Sequence, residues 1–280
     1  FQWYAELIDK TFGKVSATDP SITSLIVKEP IGVVAGVVPW NFPLMMAVWK
    51  AAPALAAGCS VIIKPAEDTP LSALKIAQIA KEAGIPDGVF NVLPGFGDVG
   101  EALGRHNDVD AISFTGSTEV GGLFMKYSGE SNLKTIGLEM GGKSPFLVLE
   151  DAKINDALID NAINSAFWNG GQNCSANMRQ IIHNKVKDEF LDKVLKRIKN
   201  IKVGDPLDAE TNMGSMISKT HLAKVDGYIQ KGIDEGASIL HGGVSDSNQK
   251  GFFAKPTLFD NVKENMTIAQ DEIFGPVLGV

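Results

Sequence analysis

The chain has 280 residues, of which 44% are hydrophobic and 21% charged, and its formal net charge is −7. This length and balance predict a globular protein with a large core, built as two domains rather than one. The acidic balance argues against nucleic acid or an anionic membrane as a partner, because no cluster of basic residues offsets it.

The two cysteines, Cys59 and Cys174, are too few for a disulfide framework and fit free thiols in a reducing, cytoplasmic compartment. No apolar run approaches the roughly 18 residues of a membrane-spanning helix, and no signal peptide is visible. The chain opens on the pattern of a helix already in progress and closes on an apolar, strand-like run. We therefore expect it to be part of a longer polypeptide.

The first predicted elements lead into an α/β pattern. Residues 13–30 alternate polar and β-branched residues around Asp19-Pro20, which indicates a β-hairpin that projects from the protein. Apolar strands and amphipathic helices then alternate from Ile31, and Thr69 and Pro70 have the pattern of the N-cap and first residue of one helix. The predicted strands of this series are IGVVAGVV, SVIIK, VFNVLP, DAISF and LKTIGLEM.

A second α/β series begins near Pro145 and continues in the same way to the strand ASILHG. Alternation of this kind predicts parallel sheets with helices on both faces, and the segment GGKSP is the expected seam between two domains. The expected division is, in chain order, a helix of the first domain at 1–12, the hairpin at 13–30, the rest of the first domain at 31–141 and the second domain at 142–280.

The stretch NGGQNCSAN, residues 169–177, raises the question of what Cys174 does. A cysteine used for packing normally has apolar neighbours, whereas this one is surrounded by small residues, amides and a hydroxyl. In such surroundings a thiol can be reached and its thiolate solvated, so Cys174 is a candidate nucleophile. Cys59, in GCSVIIK, has instead the pattern of an ordinary small strand residue.

Two glycine-containing turns are candidate phosphate sites. The segment GFGDVG at Gly95–Gly100 lies between a predicted strand and a helix, but no acidic residue follows at the expected distance, and a tight turn explains it as well. The segment FTGSTEVG places Gly116 and Ser117 at a helix N-terminus. Free N–H groups there suit a pyrophosphate, although Ser117 could equally be a simple N-cap.

Further polar groups follow predicted strands, at the edge where open α/β sheets bind ligands. Lys64 and Glu67 in IIKPAEDTP could hold ribose hydroxyls and repel a 2′-phosphate, or could be two solvated loop charges. Asn41, between two prolines in PWNFP, could donate to an oxyanion or belong to a structural turn. Glu139 in LEMGGKSP is predicted to lie in an apolar setting that suits a general base, or else to pair with Lys143.

These motifs occur together along the whole chain. PWNFP, KPAEDTP, FTGSTEVG, LEMGGKSP, GQNCSA and EIFGP follow one another in this order. In their order and spacing the sequence resembles the NAD(P)-dependent aldehyde dehydrogenase superfamily. The resemblance implies a Rossmann-type cofactor domain, a second α/β catalytic domain present only in part, and a hairpin used for oligomerisation.

The resemblance also implies roles for individual residues. Cys174 would be the nucleophile, Glu139 the general base, and Asn41, with the Cys174 N–H, the donor to the oxyanion. The other implied residues are those that hold the cofactor, Trp40, Lys64, Glu67, Gly116, Ser117, Glu272 and Phe274, and those that line the aldehyde tunnel, Phe42, Met46, Trp49 and Trp168.

The implied reaction oxidises an aldehyde to the carboxylic acid and transfers hydride to NAD through a thiohemiacetal and a thioester on Cys174. Glu67 favours NAD over NADP. The overall amino-acid sequence and its tryptophans are most similar to the aminoaldehyde branch, which includes γ-glutamyl-aminobutyraldehyde and betaine-aldehyde enzymes. The implied partners are a small aldehyde and further copies of the chain, in a homodimer or homotetramer, and the four scattered histidines predict no metal site.

Two alternatives lie outside this reaction. A CoA-acylating enzyme generally lacks the base that Glu139 would supply. A non-enzymatic structural or binding protein on the same scaffold would be favoured by loss of Cys174 or Glu139, and both are present. As an isolated piece, the chain is expected to fold poorly or to bind without turnover, whereas within a longer enzyme full activity is expected.

Overall fold

The computed structural model describes residues 1–246 and 249–280. The chain divides into two compact units, Phe1–Met140 and Gly141–Val280, and in each of them strands and helices alternate along the sequence. Within the described ranges, no helix has the length and apolar character of a membrane span. The α/β class predicted from the sequence is therefore confirmed.

The first unit begins with a short helix, α1 (Gln2–Ala5), and a small antiparallel hairpin of β1 (Lys14–Ser16) and β2 (Ser24–Ile26). Both hairpin strands are largely exposed, so they add little to the core of the unit. The remaining elements are, in chain order, β3 (Val33–Val37), α2 (Pro43–Ala56), β4 (Ser60–Lys64), α3 (Leu71–Glu82), β5 (Phe90–Val92), α4 (Gly97–Arg105), β6 (Ala111–Gly116), α5 (Thr118–Gly129) and β7 (Thr135–Met140).

Strands β3 to β7 form one parallel sheet in the order β5-β4-β3-β6-β7. Counted from β3, this is the order 3-2-1-4-5 of a Rossmann-type domain, as predicted. One core packs α4 and α5 against the sheet, and another packs α2 and α3 on the opposite face. Because the strand order reverses between β3 and β6, the loops after these two strands border the crevice in which such sheets bind ligands.

The second unit also packs helices on both faces of a sheet. Its elements are β8 (Pro145–Val148), α6 (Asp156–Phe167), β9 (Arg179–Ile182), α7 (Asn184–Ile198), α8 (Lys219–Asp234), β10 (Ser238–His241), β11 (Thr257–Asp260), α9 (Thr267–Gln270) and β12 (Val277–Gly279). The strand order is β10-β11-β12-β9-β8, and β10 runs antiparallel to β11 while the other pairs are parallel. Helices α6 and α7 cover one face, and α8 and α9 cover the other.

A polar side chain caps the start of each helix from α5 to α8, but not the start of α3. Ser117 caps α5 and Ser218 caps α8, each by accepting a backbone N–H with its side chain. The predicted N-cap at Thr69 is wrong, because α3 begins at Leu71 and its first turn bonds to the carbonyl of Pro70 instead. The buried Thr69 hydroxyl has no hydrogen-bond partner among the described residues.

Candidate active site

The sheet of the first unit brings five of the predicted side chains or backbone positions to one edge. Lys64 ends β4 and pairs in register with the end of β3, while Glu139 near the end of β7 pairs with β6. Asn41 follows β3, Gly116 is the last residue of β6, and Ser117 follows it. The parallel topology therefore places these groups at the carboxyl edge, where an α/β sheet binds its ligand.

Lys64 and Glu67 form an ion pair at this edge. The Lys64 ammonium lies 3.5 Å from Glu67 Oε2; the lysine side chain is buried and the glutamate is about half exposed. The alternative of two solvated loop charges is therefore wrong for Lys64. An inward ammonium beside an outward carboxylate offers a ligand both a donor and an acceptor.

The turn after β6 is shaped by backbone requirements. Val120 N–H donates to Ser117 Oγ at 3.3 Å, so the simple N-cap expected as one alternative is present. A Cβ on Gly116 would overlap the ring of Phe114, which explains why this position has no side chain. A binding role for Gly116 and Ser117 toward a pyrophosphate stays a prediction.

Helix α2 carries two of the four residues predicted to line an aldehyde tunnel, Met46 and Trp49, and a third, Phe42, is its N-cap. Met46 is buried in the core between α2 and the sheet, and Phe42 packs partly against the same core. Trp49 is 58% exposed, and in the second unit Trp168 is 59% exposed. The two tryptophans are thus the predicted lining residues with most surface to offer a ligand. Trp40, next to Asn41, is half-buried.

Glu139 does not have the surroundings that the sequence predicted. Its side chain is exposed, so the expected apolar setting is wrong. The reason is topological: β7 is the edge strand of its sheet, and alternate residues along it, including Thr135 and Gly137, are exposed as well. The Glu139 carboxyl group is accordingly accessible to water.

Lys50 is a buried charge that the sequence analysis did not single out. It is 7% exposed in α2, and its ammonium donates to Ser113 Oγ at 3.0 Å and to Thr115 Oγ1 at 2.8 Å. Burial lowers the pKa of Lys50 to about 8, against the attraction of Glu139. The signal in the sequence was a single charge in an otherwise apolar helix.

The pKa of Lys50 predicts a pH dependence of stability. Because the folded pKa of about 8 lies below the ordinary value of 10.5, the unfolded chain binds more protons at Lys50 between these two pH values. The free energy of unfolding should therefore rise with pH over this window, by up to about 3 kcal/mol from this residue. Urea unfolding of wild type and Lys50→Met from pH 7.5 to 10 measures this rise. If the difference in free energy of unfolding between the two proteins did not change with pH, the prediction would be contradicted.

In the second unit, Cys174 lies on a loop between α6 and β9 whose backbone is held in unusual conformations. Asn169, Gly170 and Gly171 have φ values of 54°, 64° and 70°, in the left-handed region that favours glycine. A Cβ on Gly171 would overlap the carbonyl of Gly275. The loop thus packs backbone against backbone on the segment EIFGP.

Buried amides fix this loop and leave its thiol partly exposed. Gln172 Oε1 accepts the N–H of Ile217 at 2.9 Å, and Asn173 Oδ1 accepts the N–H and the hydroxyl of Ser175 at 3.2 and 3.1 Å. Cys174 Sγ lies 4.0 Å from Asn173 Oδ1 and is neither buried nor fully exposed. Cys59 is buried in the first unit at 4% exposure. Cys174 is therefore the more accessible of the two thiols for chemistry.

The segment EIFGP carries two further predicted residues. Glu272 Oε1 is buried without a hydrogen-bond partner among the described residues, although Gly142 N–H donates to this carboxyl group. Burial raises the pKa of Glu272, opposed by that N–H and by Lys224 and Lys143. Phe274 has a φ of 60°, which is uncommon for a residue with a side chain.

Comparison with known proteins supplies the family. All of residues 1–280 match the aldehyde dehydrogenase family. The chain is 46% identical over 280 residues to an aminoacetaldehyde dehydrogenase of Pseudomonas aeruginosa, and the match covers 100% of this chain and 56% of that relative.

Two solved structures superpose on the chain over nearly its whole length. A gamma-glutamyl-gamma-aminobutyraldehyde dehydrogenase from Burkholderia cenocepacia does so with a TM-score of 0.96 at 47% identity, covering 100% of this chain and 56% of the other. An indole-3-acetaldehyde dehydrogenase in complex with NAD+ gives 0.97 at 47% identity, covering 99% and 57%.

The chain therefore spans little more than half the length of these relatives. Its match is nevertheless continuous from the first residue to the last, and it includes every motif from PWNFP to EIFGP. The resemblance seen in the sequence is confirmed, and the chain belongs to the aldehyde dehydrogenase family.

Proposed function

We propose that this protein oxidises an aldehyde to the carboxylic acid and transfers hydride to NAD. The observation that carries the proposal is the partly exposed thiol of Cys174, on a loop fixed by buried amides, in a chain of the aldehyde dehydrogenase family. The names of the relatives support it, since they act on aldehydes and one of them was solved with NAD+.

The chemistry proposed for the chain follows from its residue types. The Cys174 thiolate attacks the aldehyde carbon to give a thiohemiacetal, whose oxyanion accepts hydrogen bonds from the Asn41 amide and the Cys174 N–H. NAD, when bound, supplies the hydride acceptor that allows the thiohemiacetal to become a thioester. Glu139 then takes a proton from water, which hydrolyses the thioester to the acid and frees the thiol.

The residues present fit such a cofactor. Glu272 Oε1 is a buried acceptor without a partner among the described residues, and a ribose hydroxyl is a donor that would satisfy it. The Lys64–Glu67 pair suits the hydroxyls of a second ribose, and the Glu67 carboxylate would repel a 2′-phosphate, which favours NAD over NADP. The other residues proposed to contact the cofactor are Trp40, Gly116, Ser117 and Phe274.

Two adjacent glycines provide a matched test of the proposed role of Glu272. A Cβ on Gly141 would overlap the Glu272 carboxylate, whereas a Cβ on Gly142 has no heavy atom within 4 Å. Gly141→Ala should therefore displace the carboxylate. It should raise KM for NAD by about tenfold or more, because small displacements of a group that positions a ligand have large effects. Gly142→Ala, which keeps its N–H, should stay within about twofold of wild type. Equal KM values for the two variants, both correctly folded by thermal unfolding, would contradict the assignment.

The substrate proposed is an aldehyde with a distal amino or amide group. Trp49 and Trp168 are both exposed, and indole faces attract a cationic amino group through cation–π interactions. The relatives named for aminoacetaldehyde and for gamma-glutamyl-gamma-aminobutyraldehyde support this class. Phe42 and Met46 are proposed as further apolar lining. Met46 is buried in the core between α2 and the sheet, so it would act by supporting the lining from that core.

The two units and the hairpin are proposed to have separate roles. The first unit would bind NAD, the second would carry the catalytic thiol, and the hairpin of β1 and β2 would join subunits into a homodimer or homotetramer. The hairpin presents exposed apolar side chains such as Val15 and Leu25, which supports a contact surface. The free thiols of Cys59 and Cys174 fit the reducing conditions of the cytoplasm.

The proposal is tested by following absorbance at 340 nm with the full-length protein, NAD and a panel of aldehydes that includes γ-aminobutyraldehyde. The expected result is NADH formation with one acid released per NADH, and faster turnover with NAD than with NADP. Turnover that requires CoA and yields a thioester of CoA would instead support the acylating alternative. A folded protein that binds NAD and forms no NADH with any aldehyde would support a binding role.

A further inference from the structure

Helix α8 presents one stripe of side chains to the segment Asp271–Gly275. His221, Val225 and Tyr228 are spaced four and three residues apart, which places them on one face of the helix. His221 Nε2 lies 2.6 Å from the Phe274 carbonyl oxygen, and Tyr228 hydroxyl donates to Asp271 Oδ2 at 3.2 Å. Between them, Val225 packs so closely that a Cβ on Gly275 would overlap it.

The His221 contact is a hydrogen bond with a defined direction. A carbonyl oxygen accepts, so His221 Nε2 carries the hydrogen and donates it. Burial lowers the pKa of His221, against the bond to Phe274 and with help from the charge of Lys224. Burial therefore favours the neutral form of the imidazole, which donates from Nε2.

This bond holds a backbone that is strained by itself. Phe274 has its φ at 60°, a conformation that is unfavourable for a residue with a Cβ and that persists where neighbouring groups hold it. His221 anchors the segment at Phe274, and Tyr228 anchors it at Asp271. Glu272 lies between these two anchored positions, so its orientation depends on both.

The start of α8 also contacts the loop of the nucleophile. Gln172 Oε1 accepts the N–H of Ile217, two residues before the first residue of α8. Gly171 of the same loop packs on Gly275. One helix end is therefore bonded to both the Cys174 loop and the segment that carries Glu272 and Phe274.

We infer that His221 is a positioning residue, which with Tyr228 holds Glu272 and Phe274 at a fixed place relative to the Cys174 loop. The inference deepens the proposed function and rests on it, because it assigns His221 an effect on how the nicotinamide ribose is seated. No part of His221 needs to touch the reacting atoms for this effect.

The test compares His221→Phe, which removes the donor, with His221→Gln, which keeps an N–H donor at the end of the side chain. In the full-length protein, His221→Phe should raise KM for NAD and lower kcat, each by about tenfold or more, because the cofactor is misplaced. His221→Gln should recover most of both losses. Tyr228→Phe, which keeps the ring in its place, should weaken NAD binding in the same direction by about three- to fivefold.

A second reaction of the Cys174 thiol distinguishes a loss of cofactor positioning from general damage to the active site. The Cys174 thiolate attacks the acyl carbon of p-nitrophenyl acetate, p-nitrophenolate leaves, and water hydrolyses the acetyl thioester, all without NAD. Ester hydrolysis by His221→Phe should stay within about twofold of wild type if only the cofactor segment moves. Equal loss of ester hydrolysis and NADH formation, or wild-type kinetics in His221→Phe, would overturn the inference.

A measurement of NAD binding tests the positioning role of His221 even if the oxidation proposal fails. Quenching of tryptophan fluorescence by NAD needs no turnover and applies to wild type and all three variants. Weaker binding in His221→Phe and Tyr228→Phe, restored in His221→Gln, supports the inference whether or not NADH is formed. Unchanged dissociation constants in His221→Phe and Tyr228→Phe would overturn it, while absent NADH formation by wild type bears on the proposed function alone.

Discussion

Replacement of Cys174 by alanine should abolish aldehyde-dependent NADH formation, lowering kcat by a factor of about 10⁴ or more. The reason is that the covalent route has no substitute, since the other thiol, Cys59, is buried at 4% exposure in the first unit. Binding of NAD should be unchanged, because Cys174 is not among the residues proposed to hold the cofactor. Absorbance at 340 nm measures the rate, and fluorescence quenching measures the binding.

The matched control is Cys59→Ala, which removes the second sulfur without touching the loop. Its turnover should equal that of wild type, with at most a small loss of stability from the buried site. If Cys174→Ala kept substantial turnover, or if Cys59→Ala lost it, the assignment of the nucleophile would be refuted.

Replacement of Glu139 by glutamine should separate the two halves of the reaction. Hydride transfer leaves a thioester on Cys174, and without a carboxylate to take a proton from water that thioester should persist. We expect a burst of one NADH per active site, followed by steady turnover slower than wild type by about 10²- to 10⁴-fold. Stopped-flow absorbance gives the burst, and mass spectrometry of the quenched protein gives the acyl adduct.

Glu82→Gln serves as the control for this charge change, because Glu82 is an exposed carboxylate at the end of α3. It should show no burst and normal turnover. Normal steady-state turnover in Glu139→Gln would mean that another group deprotonates the water, and Glu139 would lose its proposed role.

Local patterns were sufficient for much of the fold. The run IGVVAGVV predicted β3, and Ser117 before a helical pattern predicted the start of α5, because apolar periodicity and side-chain caps act within a few residues. The order of the strands in the first sheet is a different matter. It depends on which strands pair across the chain, and the family resemblance rather than periodicity anticipated it.

The errors and omissions share a physical cause, which is dependence on distant partners. Lys50 is satisfied by hydroxyls 63 and 65 positions away, and His221 by a carbonyl 53 positions away, so neither neighbourhood in sequence reveals the bond. Glu139 is exposed because β7 is an edge strand, which is a property of the whole sheet. The start of α3 is an exception with a local cause, because its first turn bonds to the carbonyl of Pro70, one residue after the predicted cap at Thr69.

Directed evolution of this protein should leave Gly171 and Gly275 unchanged. A side chain on Gly171 would collide with the backbone of Gly275, and one on Gly275 would collide with Val225, so most variants at these positions would be lost before selection. Trp49 and Trp168 offer the opposite case, since both side chains are exposed. In a library confined to the two tryptophans most variants would fold, so the substitutions would mainly change which aldehyde is preferred.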